Sequence, residues 1–129
     1  MTGKYVLDTN IVIALLNGES SVRDAIEGAD EVFLPVIALG ELYFGAANSS
    51  RPEANRRLIE QFIQGRMLLY CDLSVAREYG RIKTLLKVRG FPLPENDIWI
   101  AAIALCHGLA VVSRDQHFLK VEGLTAVSW

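Results

Sequence analysis

Cysteine is scarce in this chain: among 129 residues only Cys71 and Cys106 occur, with no CxxC spacing around either. That excludes a zinc-ribbon pattern and a disulfide framework, and two lone cysteines in an apolar chain are expected as buried free thiols. Proline is rare as well, four in all, and no Pro-, Gly- or Ser-rich tract marks a linker. Positive charge is not in excess. A formal net charge of -2 argues against a protein that coats nucleic acid with a uniformly basic surface, while leaving room for a local basic rim. Long apolar runs are missing too. The longest candidate for a membrane span, Ile98 to Val112, is too short and contains His107 and Gly108. The first residues hold one lysine and an apolar run broken by Asp8 and Asn10, with no small-residue cleavage pattern, so no signal peptide is expected. The expected location is the cytoplasm, with no membrane contact.

Apolar residues are abundant. The composition is 51% hydrophobic and 22% charged, with a mean hydropathy of +0.26. For a domain of this size some of that surface is expected to be covered by a partner or a second copy. The length fits one domain over residues 1–129, long enough for a real core.

Short apolar runs alternate with helical stretches. Lys4 to Leu7, Glu31 to Leu34, Met67 to Cys71 and Leu109 to Val112 read as strands, and Leu124 to Val127 as a fifth. Between them, helices are expected over Ile11 to Asn17, from Ser20 or Ser21 to about Glu27, over Val36 to Ala47, from Pro52 to about Gln64, over Ser74 to Arg89, and from Asp97 to His107. Asp8 or Thr9 caps the first of these and Asn96 the last. Val36 to Ala47 is apolar on nearly every side and is expected to be buried. Continuous apolar strands alternating with helices predict an α/β fold with a central, mainly parallel sheet of four to five strands, covered on both faces.

Four acids interrupt these apolar segments. Asp8 stands between YVL and NIVIALL, Glu41 lies inside VIALGELYFGAA, Asp97 opens IWIAAIAL, and Asp115 follows LAVVS closely. A carboxylate in core-forming sequence is costly unless it is paired, hydrogen-bonded or metal-bound. In a parallel α/β sheet, ligands bind beyond the carboxyl ends of the strands. Asp8 and Asp115 fall there, and helices can bring Glu41 and Asp97 to the same place. A shared acidic pocket sets like charges against each other, and a divalent cation resolves the conflict. Taken singly, each acid has a plainer reading. Asp8 caps a helix, Asp97 favours a helix N-terminus, and Asp115 sits in a turn. Glu41, mid-helix, gains little from capping. The joint pattern reverses the balance.

The segments VLDTN, GELYFGA, NDIWIAA and VVSRDQHF, in this order and spacing, resemble the PIN-domain ribonucleases, and within them the VapC-type toxins of prokaryotic toxin–antitoxin pairs. Each motif alone is weak, but the four together span essentially the whole chain. The resemblance implies a PIN-like three-layer α/β/α sandwich. It implies an endoribonuclease whose catalytic residues are Asp8, Glu41, Asp97 and Asp115. Asp8, Asp97 and Asp115 hold Mg²⁺ or Mn²⁺, hard cations suited to carboxylate oxygens, and Glu41 is a ligand or orients the attacking water. Asn10 and Ser113 match auxiliary polar positions. The implied partners are an RNA substrate, a VapB-type antitoxin and a second copy of the chain. The family pattern assigns metal binding to carboxylates, so His117 is ranked below them.

Basic residues offer phosphate contacts. Arg114, beside Asp115, is the first candidate, with Arg81 and Lys87 from the cluster Arg77 to Arg89 behind it; a solvated helix face accounts for that cluster equally well. Trp99, Tyr43 and Phe44 are expected to pack in the core or at a subunit interface. A receiver-like signalling domain is the competing reading, as is a PIN-like module that binds metal, protein or RNA without cleavage. A receiver carries an acidic pair after its first strand and a lysine after its last core strand, whereas this chain has Asp8 alone and Arg114.

Overall fold

The computed structural model describes residues 3–129. Five strands form one parallel sheet in the order β3-β2-β1-β4-β5: β1 Lys4–Leu7, β2 Glu31–Pro35, β3 Met67–Leu69, β4 Ala110–Val112 and β5 Ala126–Val127. The connecting helices are α1 Thr9–Leu16, α2 Ser20–Gly28, α3 Val36–Ala47, α4 Pro52–Ile63, α5 Leu73–Arg89 and α6 Glu95–His107. A 3₁₀ turn, Gln116–Lys120, follows β4; it has no counterpart in the elements expected from sequence.

Strand residues alternate between two cores, which makes the sheet the middle of three layers. Val6 and Val111 face a cluster built with α5 and α6, through Val75, Ile82, Ile100 and Ile103. Leu7, Leu34 and Val112 face the opposite cluster, with Ile11 and Val12 of α1, Val22 of α2, Leu39 and Leu42 of α3 and Ile59 of α4. Strands covered on both faces need apolar residues at every position, which is why they read as continuous runs. Truncating a fully buried residue such as Ile100 to alanine costs about 2–5 kcal/mol.

The sheet order reverses between β1 and β4. β1 leads outward to β2 and β3, and the chain returns to β4 on the other side of β1. Such a reversal leaves a crevice at the carboxyl ends of the two central strands. Asp8 follows β1 directly, and its N–H donates to the Val112 carbonyl at 2.9 Å, closing the strand pair.

Several sequence expectations shift. α3 is not buried all round: Gly40, Phe44 and Ala47 form an exposed stripe at i, i+4 and i+7. Apolar residues on that stripe disguised a one-sided helix, and Phe44 stays 72% exposed. Cys71 and Cys106 are free but exposed, since β3 ends before Cys71 and Cys106 lies in the last turn of α6. α6 starts two residues before Asp97: Pro94 takes the N-cap position, its carbonyl accepting from Asp97 and Ile98, so Asn96 is not the cap. Trp99 packs as expected, stacked on Tyr79 with ring centroids 3.9 Å apart. Among the described residues, no helix is long and apolar enough to cross a membrane.

Candidate active site

All four acids meet at the carboxyl end of the sheet, each delivered by a different element. Asp8 caps α1: its Oδ1 accepts from Thr9 N–H at 2.8 Å, and its Oδ2 accepts from Ser113 Oγ at 2.7 Å. The carboxylate is 5% exposed, and burial raises its pKa, with the Ser113 and Thr9 hydrogen bonds opposing the rise. Glu41 projects from the middle of α3, where Thr9 Oγ1 donates to its Oε1 at 3.0 Å. Desolvation raises its pKa too, and the charges of Asp8 and Asp97 add to the effect. Asp97, in the first turn of α6, is buried and similarly raised, again first by desolvation. Asp115 caps the 3₁₀ turn, accepting from His117 N–H at 2.9 Å.

The auxiliary residues hold this arrangement. Asn10 Nδ2 donates to Ser113 Oγ at 3.2 Å, and its Oδ1 accepts from Arg114 N–H at 3.2 Å. Three residues gain importance beyond their sequence reading. Thr9 positions Glu41, and Asn96, released from capping, lies near the same carboxylate and works against the rise in its pKa. His117 places Nδ1 3.0 Å from Asp97 Oδ2 and 2.9 Å from Asp115 Oδ1. The Asp97 hydrogen bond holds its imidazole pKa above the ordinary value, and the nearby carboxylate charges contribute. Its spacing from Asp115 was the only sequence signal. Asp97, Asp115 and His117 offer ligand atoms that all lie within 4.8 Å of one another, and Asp8 stands outside that trio.

Two of the three basic candidates, Arg114 and Arg81, are already engaged. Arg114 makes a bidentate pair with Glu19, at 2.8 and 3.1 Å, and donates to the Trp129 carbonyl at 3.1 Å. On α5, Arg81 pairs with Glu78, Lys83 with Glu95 and Arg89 with Glu122; Arg77 and Lys87 carry no ion pair among the described residues. A cavity of about 510 Å³ lies at the amino ends of β1 and β4, lined by Lys4, Tyr5, Gly108 and Ala110, and includes none of the acids. Beside Glu41 runs an apolar groove of about 260 Å³, lined by Ile13, Leu16, Leu42, Leu58 and Ile59.

Carboxylates of raised pKa, gathered with an imidazole beyond the switch point of a parallel sheet, form a donor set that suits a divalent cation. Residues 5–124 match the PIN domain. The chain belongs to the PIN-domain family. Within that family it is similar to VapC proteins along its whole length. It is 36% identical to ribonuclease VapC2 of Haemophilus influenzae, and 33% identical to the tRNA(fMet)-specific endonuclease VapC of Shigella flexneri; each match covers 98% of both chains. Among solved structures, DNA-bound VapBC from Salmonella typhimurium superposes with a TM-score of 0.92 at 30% identity. VapBC-1 from nontypeable Haemophilus influenzae gives 0.87 at 27%. Both cover 98% of each chain. The expected PIN-like sandwich is therefore the fold observed, and a receiver-like domain is excluded.

Proposed function

We propose that this PIN-domain protein is a divalent-metal-dependent endoribonuclease, the VapC-type toxin of a toxin–antitoxin pair. The carrying observation is the convergence of Asp8, Glu41, Asp97 and Asp115 on one crevice. Similarity to proteins named ribonuclease VapC and tRNA(fMet)-specific endonuclease supports RNA as the polymer.

Asp8, Asp97 and Asp115 are assigned to hold Mg²⁺ or Mn²⁺. When bound, the ion lowers the pKa of its water and stabilises charge on the phosphoryl oxygens. Glu41, held by Thr9, is assigned to orient the attacking water at the edge of the pocket. Asn10 and Ser113 keep the Asp8 carboxylate in one orientation, so the site needs little rearrangement on loading. Arg114, Arg81 and Lys87 are assigned to RNA phosphates, Arg114 after exchanging its Glu19 contact.

The partner is a VapB-type antitoxin, as in the VapBC complexes that this chain resembles. The groove beside Glu41, with the exposed Ile13 and Leu58 at its rim, offers an apolar segment a seat next to the carboxylates. A second copy of the chain is proposed as well, supported by exposed Leu85, Val88 and Phe91. The proposed location is the cytoplasm.

The test is cleavage of a pool of structured and single-stranded RNAs by antitoxin-free protein, stripped with chelator and reloaded with Mg²⁺ or Mn²⁺. Cleavage that needs metal and is lost in Asp8→Asn supports the reading. Full metal-dependent activity in Asp8→Asn would sink the assignment of that residue, and binding of RNA without any turnover would move the protein to a non-catalytic role.

A further inference from the structure

The three ligand atoms that lie closest together in the pocket are not three carboxylate oxygens. They are Asp97 Oδ2, Asp115 Oδ1 and His117 Nδ1, and the nitrogen is 3.0 and 2.9 Å from the two oxygens. A six-coordinate ion with bonds of about 2.1 Å sets neighbouring ligand atoms about 3.0 Å apart. The observed edges through the nitrogen fit that figure. One N–H cannot point along both lines, whereas a cation among the three atoms meets each of them.

The backbone explains why the ring is there. Asp115 caps the 3₁₀ turn and accepts from His117 N–H, which fixes the chain just before the ring. The next residue, Phe118, is fully buried among α6 and β4 residues and fixes the chain just after it. His117 is thus held between two anchors with its nearer ring nitrogen turned to the carboxylates, while 46% of its side chain stays exposed.

Asp8, assigned above to the same cation, stands farther from these three atoms. Its Oδ1 accepts from Thr9 N–H and its Oδ2 from Ser113, with Asn10 Nδ2 at 3.5 Å, and it lies outside the close trio. Removing His117 therefore leaves two tight donors, not three.

Resting on the metal-dependent reading above, we infer that His117 is itself a metal ligand, completing with Asp97 and Asp115 a mixed nitrogen–oxygen site that selects Mn²⁺ over Mg²⁺. Imidazole nitrogen binds Mn²⁺ more weakly than the later first-row ions but more readily than Mg²⁺, which keeps to carboxylate, carbonyl and water oxygens. An all-carboxylate pocket has no such reason to discriminate.

The decisive readout is pulsed electron paramagnetic resonance of Mn²⁺ bound to the wild-type protein. Directly bound imidazole gives a ¹⁴N coupling, which changes to the ¹⁵N pattern when histidine is isotopically labelled. The chain has two histidines, and His107 lies in the last turn of α6 while Asp97 lies in the first, so the signal has one source. His117→Ala should lose it. Calorimetric titration should show Mn²⁺ affinity falling about tenfold to a hundredfold in His117→Ala, with Mg²⁺ affinity changed far less. Mn²⁺ binding without nitrogen coupling, abolished by Asp97→Asn, would overturn the inference and leave the carboxylate site standing. Equal weakening of both ions in His117→Ala would also overturn it. Binding of neither ion by wild type would overturn both readings.

Discussion

Ser113 Oγ donates to Asp8 Oδ2 at 2.7 Å, joining the end of β4 to the end of β1 across 105 positions of sequence. The same hydroxyl accepts from Asn10 Nδ2 at 3.2 Å and from Asp115 N–H at 2.9 Å. A serine hydroxyl has one proton and two lone pairs, so its capacity is fully used. Ser113→Ala would leave an oxygen of a buried carboxylate and two donors without this partner. The expected loss is about 1–3 kcal/mol of stability, read by urea unfolding in chelator. Wild-type stability in the variant would mean that water replaces the hydroxyl.

The carboxylates work against the fold when no cation is present. Burial raises the pKa of Asp8, Glu41 and Asp97, and each also feels a neighbouring carboxylate. Asp97→Asn removes one of these charges and keeps an oxygen that can accept from His117. Without metal it should melt a few degrees above wild type, the scale of about 1 kcal/mol in a domain this size. Its Mn²⁺- or Mg²⁺-induced stabilisation should disappear, and RNA cleavage should fall by about a hundredfold or more. Unchanged metal-induced stabilisation would remove Asp97 from the ligand set.

The pH dependence of the metal-free protein has a definite sign. A carboxyl whose pKa is raised on folding binds protons more tightly folded than unfolded, so its burden on the fold grows as pH rises past its ordinary value. A histidine whose pKa is raised contributes stability that is complete below its unfolded pKa and is lost as pH rises through the folded one. Asp8, Glu41, Asp97 and His117 all shift upward, so their effects add. In chelator the midpoint of unfolding should fall as pH rises above about 4, the ordinary carboxyl range, and the histidine should extend the fall above its ordinary range, with a shallower slope for Asp97→Asn. Stability rising across that range would contradict the pocket's electrostatics.

The acids were legible in the sequence because apolar surroundings make a carboxylate conspicuous, and the parallel sheet because its strands are buried on both faces. Asn96 was misread: directly before Asp97 it has the look of an N-cap, but Pro94 already takes that position. α3 was misread for the opposite reason. Hydrophobicity reports what a face can bury, not whether this chain buries it, and Phe44 stays exposed on a helix whose pattern looked apolar all round. The contacts of His117 were not legible because they join two carboxylates from different elements, Asp97 on α6 and Asp115 after β4, and pairwise spacing carries no such information.

Arg114 is held by Glu19, and that pairing sets the terms of its proposed contact with RNA. Both side chains are partly exposed, at 39% and 43%, so solvent screens the ion pair and it contributes little to stability. Glu19→Gln should therefore leave the melting temperature nearly unchanged while freeing the guanidinium. If Arg114 meets a phosphate, Glu19→Gln lowers KM for RNA cleavage and Arg114→Ala raises it. The logarithm of RNA affinity should also become less steep against the logarithm of salt in Arg114→Ala, by about 0.7 for one phosphate contact on a single strand. The double variant Glu19→Gln with Arg114→Ala should match Arg114→Ala alone, because Glu19 acts here only through the arginine. A KM that drops in the double variant as well would show Glu19 repelling RNA directly, with Arg114 serving to tie α2 to the C-terminal residues.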